Sequence, residues 1–179
     1  MNDWNFCLQP LASAKPRLDL KITGEITRRA DTLTIRFELR GRLAKVVVPP
    51  PAVPPARRHG LWQETCFELF LGVKNSPPYW EFNLSPSGHW NVYQFSAYRQ
   101  GRIEEPAFTA LPYSVWSQPD ALLLTLEVDL AKIVPAEQVL EVGISAVIKP
   151  RDGEATYWAL SHPGPQADFH RRDGFSLAL

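Results

Sequence analysis

Five side chains within 22 residues supply both halves of a polyol-binding chemistry. They are Trp62, Glu64, Glu68, Glu81 and Asn83, carried by Leu61-Trp62-Gln63-Glu64-Thr65-Cys66-Phe67-Glu68-Leu69-Phe70-Leu71 and by Tyr79-Trp80-Glu81-Phe82-Asn83-Leu84. An aromatic face covers the apolar face of a pyranose ring, while carboxylates and amides hydrogen-bond vicinal hydroxyls. Apolar area with a few convergent polar groups is the usual composition of a ligand pocket. Trp62, Glu68, Glu81 and Asn83 are therefore the expected ligand contacts. The alternative reading makes Trp62 a cap on the core and pairs the carboxylates with Arg99 or Arg102 on a solvated face.

A second concentration of functional groups lies in His162-Pro163-Gly164-Pro165-Gln166-Ala167-Asp168-Phe169-His170-Arg171-Arg172-Asp173-Gly174-Phe175. His162, Asp168, His170 and Asp173 include nitrogen and oxygen donors suited to a divalent ion, but their spacing fits none of the strong zinc signatures, and no metal is expected. The segment reads as a Pro/Gly-rich loop whose side chains satisfy its own backbone, or as a rim folded over the ligand site. Glu64, Glu68 and Glu81 also raise a glycosidase reading, in which two carboxyls lie on the order of 5 to 10 Å apart. The chain carries no nucleophile elbow, phosphate loop or dinucleotide fingerprint, so a non-catalytic binder is the leading expectation.

The elements that must position these groups follow a period of two, which argues strands. Leu18, Leu20 and Ile22, then Leu33, Ile35, Phe37 and Leu39, form a hairpin about Arg29-Ala30-Asp31. Arg42 to Val48 reads as a further strand, stopped by the proline tract at 49–55, where proline donates no ladder hydrogen bond. Phe67, Leu69 and Leu71 share one face of a strand, and Glu64, Cys66, Glu68 and Phe70 share the other. With Pro86-Ser87-Gly88 as the turn, Phe82 faces Val92 and Leu84 faces Trp90 in the core, while Glu81 faces Tyr93 and Asn83 faces Asn91 on the outer side. The strand from His89 extends to Tyr98. Leu122 to Val128, Val139 to Ile148, and Thr156 to Leu160 after the Arg151–Glu154 turn continue the pattern, and Phe175 to Leu179 closes it. Only Asp129 to Gln138 invites a helical turn. The expected fold is all-β: an antiparallel β-sandwich, immunoglobulin-like or jelly-roll-like, of about ten or eleven strands in one domain spanning 1–179.

Composition narrows the partners. The 19 Lys+Arg balance 19 Asp+Glu, so the net charge is zero and neither nucleic acid nor a membrane surface is an expected partner. Hydrophobic residues at 45% and charged residues at 21% suit a soluble globular chain. The stretch Met1 to Cys7 lacks a basic segment followed by an apolar run, which predicts a cytoplasmic location. Cys7 and Cys66 give no disulfide framework, and Cys66 reads as a small buried hydrophobe.

Residues 61 to 99 resemble DOMON-like domains related to family 9 carbohydrate-binding modules. The matching signature is a Trp, a polar pair, a Glu, an apolar strand, and then the aromatic-x-Glu-Phe-x-x-Ser-Pro-x-Gly segment at 79–88. The C-terminal His-Pro, Asp-Phe-His and Asp-Gly-Phe groups are similar to the ending of stand-alone bacterial DOMON-like proteins. The resemblance implies a sugar clamp in which Trp62 and Glu68 take part, with Trp158 or Phe169 as the second aromatic. DOMON relatives also include haem binders. Met1 is the only methionine, so ligation here would fall to a pair among His59, His89, His162 and His170. Haem is the alternative cofactor; none is the main expectation. An interaction module is the remaining class, presenting the proline tract or exposed Trp4, Trp62 and Trp116 to a partner.

Overall fold

The computed structural model describes residues 2–12, 19–135 and 137–179. Among the described residues there are twelve strands: β1 (Asn2–Pro10), β2 (Leu20–Arg29), β3 (Thr32–Gly41), β4 (Cys66–Val73), β5 (Tyr79–Leu84), β6 (Trp90–Phe95), β7 (Ile103–Glu104), β8 (Tyr113–Ser117), β9 (Ala121–Asp129), β10 (Leu140–Ile148), β11 (Thr156–Ala159) and β12 (Leu177–Ala178). Leu18, counted with the first hairpin, lies outside the described residues.

The strands pair antiparallel in two layers joined through β1. One layer runs β1-β2-β3-β9-β8. The other runs β7-β6-β5-β4-β10, with β11 and β12 sharing the far edge of β10. Residues 2–8 of β1 pair with β2, whereas Gln9 and Pro10 pair with Ala159 and Trp158 of β11, so one strand carries the chain from one layer to the other.

Alternation builds the core between the layers. Leu33, Ile35, Phe37 and Leu39 of β3 point inward and meet Phe67, Leu69 and Leu71 of β4, with the Phe37 and Phe67 ring centroids 5.0 Å apart. This is an all-β sandwich, and dry apolar contact between its layers is its principal source of stability. β4, β5 and β6 are buried on both faces for nearly their whole length. Their outer face carries a second apolar cluster of Phe70, Tyr79, Tyr93, Phe95 and Phe175, covered by the chain around Trp62 and Phe169.

The β5–β6 register is the one expected from the Pro86–Gly88 turn: Glu81 opposite Tyr93, Phe82 opposite Val92, Asn83 opposite Asn91 and Leu84 opposite Trp90. Three expectations are corrected. Arg42 to Val48 is not a strand, because Gly41 at φ 138° turns the chain out of the sheet into a short 3₁₀ turn at Leu43–Lys45, leaving only a bridge from Val46 to Pro150. β6 stops at Phe95, where a tight turn with Arg99 at φ 53° replaces the extended path to Tyr98. β1 and β8 are strands that periodicity did not single out; their Trp4 and Trp116 are exposed, which blurs the inside-outside pattern. The helical turn in Asp129–Gln138 is a 3₁₀ turn at Leu130–Lys132, and the Asp129 side chain accepts from Ala131 N at 3.1 Å.

Candidate functional site

Strand alternation sends Glu68 and Phe70 of β4, and Tyr79, Glu81 and Asn83 of β5, to the face opposite the core. In the ladder Glu68 is opposite Asn83 and Phe70 is opposite Glu81, so Glu68 and Glu81 are diagonal neighbours on adjacent strands. Above them lies a cavity of about 550 Å³ with Glu68, Phe70, Glu81, Phe95 and Val147 as its floor. Its walls come from separate segments: Trp62 from the 3₁₀ turn Leu61–Gln63, Arg99 and Arg102 from the β6–β7 connection, Tyr157 from β11, and Phe169 and His170 from the C-terminal loop.

The two carboxyls define the floor. Glu68 is 3% exposed and Glu81 6%. Ser145 Oγ donates to Glu68 Oε2 at 3.0 Å, and Asn83 Nδ2 donates to Glu81 Oε1 at 2.9 Å. Among the described residues, neither Glu68 Oε1 nor Glu81 Oε2 receives a hydrogen bond, and His170 Nε2 lies 3.8 Å from Glu81 Oε2. Burial disfavours both charged forms. It pushes Glu68 up to about 8, with the neighbouring Glu81 charge adding to the shift. It pushes Glu81 up to about 7, against the lowering effects of the Asn83 hydrogen bond and of Arg102 and Arg99. Near neutral pH the pair therefore holds a proton, and the floor presents both an acceptor and a donor.

Two tyrosine–histidine pairs flank the carboxyls. Arg99 N donates to the buried Tyr79 hydroxyl at 3.2 Å, and that hydroxyl lies 2.8 Å from His170 Nδ1. The Tyr79 proton goes to Nδ1, its one acceptor among the described residues, which leaves the His170 proton on Nε2 facing Glu81. Burial, followed by the charge of Arg99, lowers His170 to about 4, so the ring is neutral. In the second pair Asn91 Nδ2 donates to the Tyr93 hydroxyl at 3.0 Å, and that hydroxyl meets His59 Nδ1 at 2.7 Å. Trp62 stands edge-on to His59, with centroids 5.0 Å apart, and to Tyr93 at 6.2 Å. Gly60 at φ 77° bends the chain to bring Trp62 there.

The rim is fixed by polar contacts. Asp168 accepts from Arg99 Nη2 at 2.8 Å and from the Tyr98 hydroxyl. Both groups hold its carboxyl below the ordinary range despite partial burial. The Arg102 guanidinium lies 5.3 Å from the Tyr93 ring centre.

The structure brings together Trp62, Glu68, Glu81 and Phe169 of the expected ligand contacts. Asn83 lies beneath the cavity lining: it is fully buried and donates to Glu81 Oε1. Trp158 is also placed away from the cavity. It packs in the core and donates through Nε1 to Thr156 Oγ1 at 3.0 Å, because the register sets Trp158 opposite Ala146 on the inner face and turns its neighbour Tyr157 to the cavity. Glu64 is exposed and lies outside the cavity lining. The solvated-face reading of the carboxylates is overturned by the burial of Glu68 and Glu81, and Arg99 pairs with Asp168 instead. The metal-donor candidates point at different partners: His162 Nε2 at Gln9 O, Asp168 at Arg99, His170 at Tyr79 and Asp173 at Arg171. Among the described residues no three His, Cys, Asp or Glu side chains converge. Of the remaining histidines, His59 meets Tyr93, and His89 Nδ1 lies 3.1 Å from Ala56 N. Sequence reasoning missed Phe70, Phe95, Arg99, Arg102 and Tyr157. Phe70 was legible as the same-face neighbour of Glu68, whereas the others depend on how distant segments meet.

No model of a known protein family matches the chain, and no curated protein sequence matches it. Among solved structures, a candidate carbohydrate-binding protein from Bacteroides uniformis ATCC 8492 superposes with a TM-score of 0.76. It is 9% identical over 96% of this chain and 83% of its own. The two share a fold. A family 9 carbohydrate-binding module from Caldicellulosiruptor kristjanssonii superposes less closely. Its glucose complex gives a TM-score of 0.46 at 11% identity over 84% of this chain and 72% of that one. Its cellotriose complex gives 0.49 at 9% identity over 86% and 71%.

Proposed function

We propose that this protein binds a carbohydrate, without altering it, in the cavity over β4 and β5. One observation carries the reading. Glu68 and Glu81 are both buried, each with one oxygen fixed by a protein donor and the other turned toward an aromatic-walled cavity. A carboxyl pair holding one proton can accept from one hydroxyl and donate to its neighbour, which suits vicinal hydroxyls on a ring. Trp62 and Phe169 supply apolar faces at the wall, and a cavity of this size accommodates one or two sugar units. The fold adds support, since the Bacteroides protein that shares it is described as a candidate carbohydrate binder.

Isothermal titration against a panel of mono- and oligosaccharides tests this. Wild type is expected to bind at least one. Trp62→Ala should remain folded and lose that binding, and Glu68→Gln should weaken it by about 1–3 kcal/mol. Absence of heat across the panel, or a Trp62→Ala variant with unchanged affinity, would overturn the assignment.

A further inference from the structure

We propose that the carbohydrate taken by this cavity carries a protonated amino group, and that its ammonium sits on the floor between Glu68 and Glu81. The inference rests on the carbohydrate reading above and specifies its ligand class. Buried carboxyls ordinarily have a cation within hydrogen-bond reach. Here the donors on the pair are neutral, the Ser145 hydroxyl and the Asn83 amide. The ionisable nitrogen within 4.0 Å of Glu81 Oε2 is His170 Nε2, at 3.8 Å, on a ring that burial keeps uncharged. Arg99 is engaged by Asp168 at 2.8 Å, and the exposed Arg102 lies over the Tyr93 ring at the rim.

The other ionisable groups facing the pair supply no positive charge. Cys66, behind Glu68, is fully buried with its thiol pushed up by burial, and Tyr79 and Tyr93 are likewise raised, so all three stay neutral. Glu104 lies beyond Asn91, which donates to it at 2.8 Å, and adds only negative charge. A polyol would leave like charges on the floor uncompensated above neutral pH. An ammonium offers three donors to Glu68 Oε1, Glu81 Oε2 and the cavity, and its single positive charge, set between the carboxyls, relieves their mutual repulsion and offsets one of the two negative charges. Trp62, Phe70, Phe95 and Phe169 line the same space, and aromatic faces attract a cation.

The test titrates the full chain with glucosamine, galactosamine and mannosamine, with their neutral parents and N-acetyl forms, and with tetramethylammonium as a sugar-free cation. Calorimetry in two buffers of different ionisation enthalpy counts the protons exchanged. An amino sugar is expected to bind at least ~10-fold more tightly than its parent and N-acetyl form, and to release a proton from the pair at pH 7. The double variant Glu68→Gln, Glu81→Gln should bring the amine-to-parent ratio close to one, a ratio that general loss of structure would not produce. A neutral sugar binding as tightly as its amine overturns this inference and leaves the carbohydrate reading standing. Tetramethylammonium binding without any sugar overturns the carbohydrate reading and keeps only the cation site. No binding by any probe overturns both.

Discussion

Glu68 and Glu81 make protein stability fall as pH rises, contrary to the usual behaviour of paired surface carboxylates. Their folded-state values lie above those of the unfolded chain, so the native state holds more protons than the unfolded state from about pH 4.5 up to about 8. The stability this provides is complete below the unfolded value and disappears as the carboxyls ionise in place. His170 acts oppositely: its folded value of about 4 lies below the unfolded one, so stability declines as pH drops from about 6.5 toward 4. Denaturant titrations should therefore show unfolding free energy decreasing between about pH 6.5 and 8, by up to about 1.4 kcal/mol per pH unit for each proton. The double variant Glu68→Gln, Glu81→Gln should flatten that limb, and a wild-type profile already flat over the range would show that the carboxyls are solvated. At this scale the sequence disclosed the residue types well. Glu68 and Glu81 were legible as candidates, but their protonation was not, since it depends on burial by segments far along the chain.

Between strands, the decisive element is the C-terminal loop, and Arg172 attaches it to the sheet. Its guanidinium donates to the carbonyls of Ser76 at 2.9 Å, Val73 at 3.1 Å and Pro78 at 3.3 Å, and pairs with Glu141. The contact needs a bare backbone beneath it: a Cβ on Gly72 would lie 2.3 Å from Arg172 Nη1. Gly72→Ala is expected to cost about 1–3 kcal/mol through this overlap and to loosen the loop that presents Phe169 and His170. Hydrogen exchange should report faster opening of 161–175 than in wild type; protection equal to wild type would count against the staple. The β5–β6 hairpin was readable beforehand because a short turn sets register, and register sets faces. The choice between Trp158 and Tyr157 was not readable, because the parity of β11 is fixed by its pairing with β10 across the Arg151–Glu154 turn.

For the molecule as a whole, one layer of the sandwich leaves its outer face to solvent while the other covers its own with loops, and the cavity lies under that cover. A binding role predicts that an oligosaccharide incubated with excess protein is recovered intact, with unchanged chain length and anomeric configuration by NMR; cleavage abolished by Glu81→Gln would make the carboxyl pair catalytic instead. The features legible from residue order are local ones. A two-residue alternation dictates strands, and turn residues pair neighbours into hairpins. The polar members of an apolar strand therefore fall together on one face, which placed Glu68 beside Phe70 and Glu81 across from Tyr93. The remaining features are non-local and come from the folding of distant segments against one another. Trp62, Arg99 and Phe169, separated by up to 107 residues in the chain, meet above one face and form the walls of the cavity there. Burial, proton affinity and cavity shape arise from that meeting, and no short-range periodicity carries them, because each depends on chain segments whose separation in sequence says nothing of their distance in space.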